Sequence, residues 1–108
     1  MKKKNIVKKK QDFDRIIGKK EGKATKYFII NCEDQEEKIA KFGITFVKNI
    51  GNAVTRNKLK RRIKAIIDNN ESIYEKNKNY IIIAKKEAIE LSYKELEQEL
   101  ILAFNKLK

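Results

Sequence analysis

Residues 38–84 read KIAKFGITFVKNIGNAVTRNKLKRRIKAIIDNNESIYEKNKNYIIIA, and three patterns follow one another in this stretch. From Lys38 to Val47, Ile39, Phe42, Ile44 and Phe46 are set among polar or small partners, the pattern of a half-buried strand. From Asn52 to Asn70 there is neither Gly nor Pro, and Leu59, Ile63, Ile66 and Ile67 recur at i, i+4, i+7 and i+8, which predicts an amphipathic helix. Gly51 permits the turn into that helix, Asn52 can cap its first amides, and Asn69-Asn70 supplies terminators. Tyr80-Ile81-Ile82-Ile83-Ala84 is a β-branched and aromatic run of the kind that forms a buried strand. Strand, helix and strand in series make a crossover between neighbouring or near-neighbouring strands of one sheet. The stretch therefore predicts an α/β domain.

The flanking segments extend this plan. Tyr27-Phe28-Ile29-Ile30 reads as another buried strand, and the acidic run Glu33-Asp34-Gln35-Glu36-Glu37 that follows reads as a hairpin loop into the Lys38 strand. Upstream, Phe13, Ile16 and Ile17 at i, i+3 and i+4 predict a short helix ending at Gly18. Downstream, Ser92 and Glu95 form a capping box ahead of Leu96, Leu100, Ile101, Phe104 and Leu107. The expected order is α-β-β-(β)-α-β-α in a single domain over residues 1–108, with residues 1–10 a basic, flexible amino-terminal segment.

Composition removes several classes of function. The 108 residues contain no histidine, which excludes an imidazole base, a His ligand and a Ser/Cys–His pair within this chain. A single cysteine, Cys32, can form neither an internal disulfide nor a thiolate zinc site, and inside an apolar run it reads as a small buried hydrophobe rather than a reactive thiol. No apolar stretch approaches a membrane span, and the basic start is not followed by an apolar signal core, so a cytoplasmic protein without a membrane partner is expected.

Charge is the dominant signal. Lys and Arg number 27 against 15 Asp and Glu, a formal net charge of +12, which points to a polyanionic partner. The excess is concentrated: residues 1–26 carry +8 and residues 48–64 carry +7, whereas residues 27–47 carry −2 and residues 65–108 carry −1. The first block holds Lys2, Lys3, Lys4, Lys8, Lys9 and Lys10, which suit either a solvated, frayed terminus or a phosphate-binding arm. The second holds Arg56, Asn57, Lys58, Lys60, Arg61, Arg62 and Lys64. At about 100° per residue, Asn57, Lys60, Arg61 and Lys64 lie opposite the apolar stripe of the helix, with Lys58 and Arg62 flanking it.

The ordered run from Ile50 through Gly51-Asn52-Ala53-Val54-Thr55-Arg56-Asn57-Lys58-Leu59-Lys60-Arg61-Arg62-Ile63 to Lys64 resembles the signature of the bacterial ribonuclease P protein component. Asp12-Phe13 after the basic start, Phe42-Gly43-Ile44 and Tyr80-Ile81-Ile82-Ile83-Ala84 also look like that family, so the likeness extends over essentially the whole chain. The resemblance implies a two-layer α/β (α+β) sandwich with a sheet of about four strands, of a kind also found in a ribosomal-protein domain, and a left-handed helical crossover against the usual rule. It also implies a protein subunit of an RNA enzyme that hydrolyses precursor tRNA to leave a mature 5′-phosphate. The RNA subunit, with Mg²⁺ bound mainly to it, performs the chemistry.

By that resemblance no catalytic residue is assigned to this chain. Arg56, Asn57, Lys58, Lys60, Arg61, Arg62 and Lys64 would bind the RNA subunit, Lys58 and Lys64 standing where arginine is common and so lacking the planar fork that grips phosphate bidentately. The 5′ leader would lie in a cleft between the first helix and the sheet, with Phe13, Ile17, Ile29, Asn31, Lys48, Asn49 and Lys8 as contacts. Phe13 has two readings, a platform for a stacked base or a core residue packing with Ile16. Ile17 and Asn31 occupy positions often aromatic in the family, and Asn49 replaces a frequent lysine. A nuclease site in the chain itself would need converging carboxylates; Asp12 and Asp14 read instead as helix-start acids, and Glu33–Glu37 as a solvated turn. The competing reading of the whole chain is a non-catalytic RNA-binding protein of another ribonucleoprotein, such as a small ribosomal protein.

Overall fold

The computed structural model describes residues 1, 3–18, 22–48 and 50–107. Its principal elements are α1 (Lys10–Gly18), β1 (Lys23–Ala24), β2 (Phe28–Asp34), β3 (Lys41–Phe46), α2 (Ala53–Asn69), β4 (Lys78–Ala84) and α3 (Tyr93–Asn105), with short 3₁₀ turns at Lys3–Asn5, Glu71–Ile73 and Lys86–Glu90. The four strands form one mixed sheet in the order β1-β2-β4-β3. β4 runs antiparallel to β2 and parallel to β3. The expected α-β-β-β-α-β-α order is present, and β3-α2-β4 is the crossover, joining adjacent strands.

β4 occupies the centre because it is apolar on both sides. Tyr80, Ile82 and Ala84 join the main core with Phe28, Ile30, Phe42 and Ile44, against which Leu59, Ile63, Ile66 and Ile67 of α2 and Leu96, Leu100 and Phe104 of α3 pack. Ile81 belongs to a second, smaller core with Val7 and Ile16, and Ile83 and Phe13 pack against it. The sheet thus forms its main sandwich with α2 and α3, while α1 lies across part of its other face. Phe42 and Tyr80 stack at 5.5 Å, and Tyr74 and Phe104 meet this pair edge-on.

The acidic segment corrects the sequence expectation. Residues 33–37 are not a hairpin loop, because β2 and β3 are not paired; β4 lies between them. Glu33 and Asp34 continue β2, in register with Asn79 and Lys78. Glu33, expected in a solvated turn, is 7% exposed. Short apolar runs separated by acids mark strands but do not say which strands pair, and a central strand supplied after α2 takes the intervening position.

The amino-terminal segment is tied to the sheet. Ile6 bridges Phe42 in parallel, the Val7 amide donates to the Phe42 carbonyl at 2.9 Å, and Asn5 Nδ2 donates to the Ala40 carbonyl at 2.8 Å. Lys4, Lys8, Lys9 and Lys10 are exposed on either side of this bridge, while Lys2 lies outside the described residues. Cys32 is partly buried against the main core.

Candidate nucleic-acid interface

Two surfaces are built by this fold. The first is the outer side of α2. Gly51, at φ +58°, turns the chain into the helix in a conformation that favours glycine. Asn52 then caps it, its Oδ1 accepting from the Thr55 amide at 2.9 Å. At the other end Asn70 donates from Nδ2 to the Ile66 carbonyl at 2.7 Å and to Glu97 Oε2 at 3.1 Å, tying α2 to α3. Leu59, Ile63, Ile66 and Ile67 are the buried residues of this helix, as the spacing predicts.

With the apolar stripe held against the core, the cations face out. Arg56, Asn57, Lys58 and Arg61 are exposed, and Lys60, Arg62 and Lys64 are half-buried along their stems. Asn57, Lys60, Arg61 and Lys64 line one shallow open groove with Val54. Lys58 and Arg62 line a neighbouring one against Ala88, Ile89 and Leu91. Among the described residues, the acids that form ion pairs form them away from this ridge: Asp34 and Glu75 with Lys78, Glu37 with Lys41, Asp12 and Glu33 with Arg15, and Asp68 with the amino-terminal ammonium. The ridge on α2 keeps its positive charge uncompensated, the arrangement that attracts a phosphate backbone.

The second surface is the sheet face beneath α1. Period-two alternation and strand register place three rows of side chains on it. The first row is Ala24, Ile29, Ile83 and Thr45; the second is Asn31, Ile81 and Gly43; the third is Glu33, Asn79 and Lys41. α1 is pinned to this face at two points. Arg15 donates from Nε to Glu33 Oε1 at 3.1 Å and from Nη2 to Glu33 Oε2 at 2.7 Å, and Asn79 Nδ2 adds a bond to Glu33 Oε2 at 2.9 Å. Those bonds, then the charge of Glu33, raise the affinity of the Arg15 guanidinium for its proton above the usual range. Arg15 also donates to Asp12 at 2.9 Å. The second point is apolar, where Ile16 and Phe13 pack on Ile81. The row of Ile29, Ile83 and Thr45 stays half-exposed, leaving a partly apolar strip of the sheet face accessible.

The residues expected to line a cleft do not all share one environment. Phe13 and Ile17 come from α1, Ile29 and Asn31 from the facing side of β2. Phe13 and Ile29 are partly buried and Ile17 is 37% exposed, whereas Asn31 is 6% exposed beneath Gly22 and belongs to the floor. Phe13 packs against the smaller core, as its core reading expects, and keeps part of its surface accessible. Lys8 is exposed just before α1, and Lys48 is exposed just beyond β3, on the connection to α2. Asn49 lies outside the described residues. Arg15, Glu33, Asn79 and Gly43 shape this face and were not anticipated as such. The signal for Glu33 was available: continuing the Ile29, Asn31 alternation by one step puts it on the same side of the strand.

Among the described residues no group of three or more acidic or thiol side chains is placed to hold a metal ion. No helix among them is long and apolar enough to cross a membrane.

Comparison with known proteins identifies the family. The sequence model of the Ribonuclease P family matches residues 1–108. The chain is 40% identical over 109 residues to the ribonuclease P protein component of Mycoplasma capricolum, with each covered in full. It is 36% identical over 107 residues to that of Bacillus mycoides, covering 98% of this chain and 93% of the relative. The fold is similar to the solved RNase P protein of Staphylococcus aureus, with a TM-score of 0.87 at 30% identity over 96% of this chain and 95% of that one. The Thermotoga maritima RNase P protein shares the fold, with a TM-score of 0.85 at 20% identity over 94% of this chain and 96% of the other. A helix whose cations no described acid pairs with, and a family model that matches every residue, lead to one assignment: the chain belongs to the ribonuclease P protein family and is the protein part of the ribonuclease P holoenzyme, whose partner is the RNA subunit.

Proposed function

We propose that this protein docks on the RNA subunit through the α2 ridge and holds the 5′ leader of precursor tRNA in the cleft beneath α1, while the RNA carries out the hydrolysis. The observation that carries the docking half is the row of cations on α2, Arg56, Lys58, Lys60, Arg61, Arg62 and Lys64, with Asn57 among them, none of which forms an ion pair among the described residues. Arg56, Arg61 and Arg62 can each grip a phosphate through two donors, and the three lysines act as point charges.

The leader half is supported by a single-stranded ligand's needs: stacking surface and backbone charge. Phe13, Ile17, Ile29 and Ile83 offer apolar surface on the cleft, Lys8 and Lys48 charge at its edges, and Asn31 supports the floor. Asn49 remains a proposed contact by its place beside Lys48. Mg²⁺ belongs in this proposal to the RNA, a reading supported by the engagement of both Asp12 and Glu33 with Arg15. No step is assigned to metal on this chain. The reading places the protein in the cytoplasm, with its RNA.

The test of docking is the salt dependence of RNA-subunit binding. Arg56→Ala, Lys60→Ala and Arg61→Ala combined should weaken binding and flatten the log–log salt slope by about 0.7–0.9 per lost contact. An unchanged slope would remove α2 from the interface.

A further inference from the structure

Gly43 lies inside β3, in register with Ile81. Only Gly51, among the described glycines, has a backbone conformation that favours glycine, so β3 does not need glycine at position 43 for its geometry. A side-chainless residue weakens a strand interior and marks a place where something approaches closely. What approaches is Phe13. A Cβ built on Gly43 would lie 2.5 Å from Phe13 Cζ and 2.7 Å from Phe13 Cε1, and 2.7 Å from Cδ1 of the fully buried Ile81. The sheet face therefore has a notch between Lys41 and Thr45, and the Phe13 ring tip fills it.

We propose that Gly43 is a positioning residue for the leader cleft: its missing side chain lets the Phe13 ring seat against β3 and so sets where aromatic surface is presented to a leader nucleotide. The proposal rests on the reading of this face as the leader site. With Ile81 held in the core, the ring is the partner free to give way, and a methyl group at position 43 moves it off its seat. Gly43 itself need not touch RNA. Its effect is passed on through Phe13, which predicts that the two positions act as a unit.

The experiment uses the reconstituted holoenzyme and compares its affinity for precursor tRNA bearing a long single-stranded leader with that for the same tRNA bearing one leader nucleotide. Gly43→Ala is expected to reduce the long-leader advantage by at least about fivefold, the low end of one stacked base, with RNA-subunit binding unchanged. Phe13→Ala should reduce it similarly, and Gly43→Ala should add nothing in the Phe13→Ala background. If Phe13→Ala leaves the leader advantage intact, the leader-cleft reading fails and this proposal with it. If Phe13→Ala removes the advantage while Gly43→Ala does not, or if the two losses simply add, the proposal alone is overturned. Should Gly43→Ala not fold, Phe13→Leu decides, because leucine lacks the Cε1 and Cζ atoms that the new methyl group would meet. Gly43→Ala should then lower the unfolding midpoint less in the Phe13→Leu background, where only the contact with Ile81 Cδ1 remains, than with Phe13 present, and an equal loss in both would contradict the seat.

Discussion

Arg15 and Glu33 join α1 to the central sheet through a two-point contact in which the carboxylate is buried and the guanidinium half-exposed. Glu33→Ala removes both bonds and strips Asn79 Nδ2 of its partner, in a residue whose Oδ1 already has none among the described groups. The expected cost is about 2–3 kcal/mol of folding stability, because charged hydrogen bonds and a stranded polar group are both involved. Glu33→Gln keeps the shape and should cost less. Urea unfolding measures the loss, and amide exchange should show it first in α1.

The cap of α2 is open to a sharper comparison. Asn52→Ala should cost about 1 kcal/mol by leaving the Thr55 amide without its acceptor. Because the first turns carry Arg56 and Asn57, the same change should weaken RNA-subunit binding, and Asn52→Asp should keep the cap. Gly51→Ala should also destabilise, since φ is +58° and the added Cβ would sit 3.1 Å from the Thr55 Cβ and Cγ2 atoms. Denaturation midpoints together with filter-binding affinities check both changes.

Alkaline pH should loosen the main core. Burial raises the Tyr80 hydroxyl above its ordinary value, only partly opposed by the bond its oxygen accepts from the Glu75 amide. Burial also raises Tyr74, helped by the negative charges of Glu71 and Asp68. A group whose pKa is higher folded than unfolded gives stability that is complete below the unfolded value, about 10 for tyrosine, and is lost as pH climbs through the folded one. Unfolding free energy should therefore fall above pH of about 10. Tyr80→Phe should flatten that fall while costing about 1 kcal/mol at neutral pH through the lost hydrogen bond. The measurement is urea unfolding across an alkaline pH series.

Acid acts at the start of α3 by the opposite sign. Glu95 is lowered because its carboxylate accepts from the Ser92 amide in the capping box. Its contribution is present above the ordinary glutamate value and is lost as pH falls through the lowered one. Ser92→Ala should make α3 fray, read as faster amide exchange at its first turn.

Much of this architecture was legible in the sequence because its signals are local. α2 announces itself by period, cap and terminator, and Asn52, Leu59, Ile63, Ile66 and Ile67 all do what their spacing implies. The capping box at Ser92 and Glu95 is likewise a matter of four residues. β4 could be read as buried since Tyr80 to Ala84 is apolar at every position. Its partners could not, because pairing is set by long-range packing, and an insertion between β2 and β3 leaves no local mark. The same limit hid the Glu33–Arg15 contact, which joins residues eighteen apart across two elements. It also hid the purpose of Gly43, which is visible only once Phe13 stands over it. The cationic ridge was legible as charge, and the structure adds that no acid among the described residues turns back to neutralise it.

The central claim is that this chain holds RNA and leaves the hydrolysis to its partner. The most direct measurement is 5′ cleavage of precursor tRNA at low Mg²⁺ by the RNA subunit alone, by the protein alone and by the two together. The account predicts negligible cleavage by either alone under those conditions and efficient release of the leader by the pair. Cleavage by the protein alone at the rate of the pair, or a pair no faster than the RNA, would contradict it.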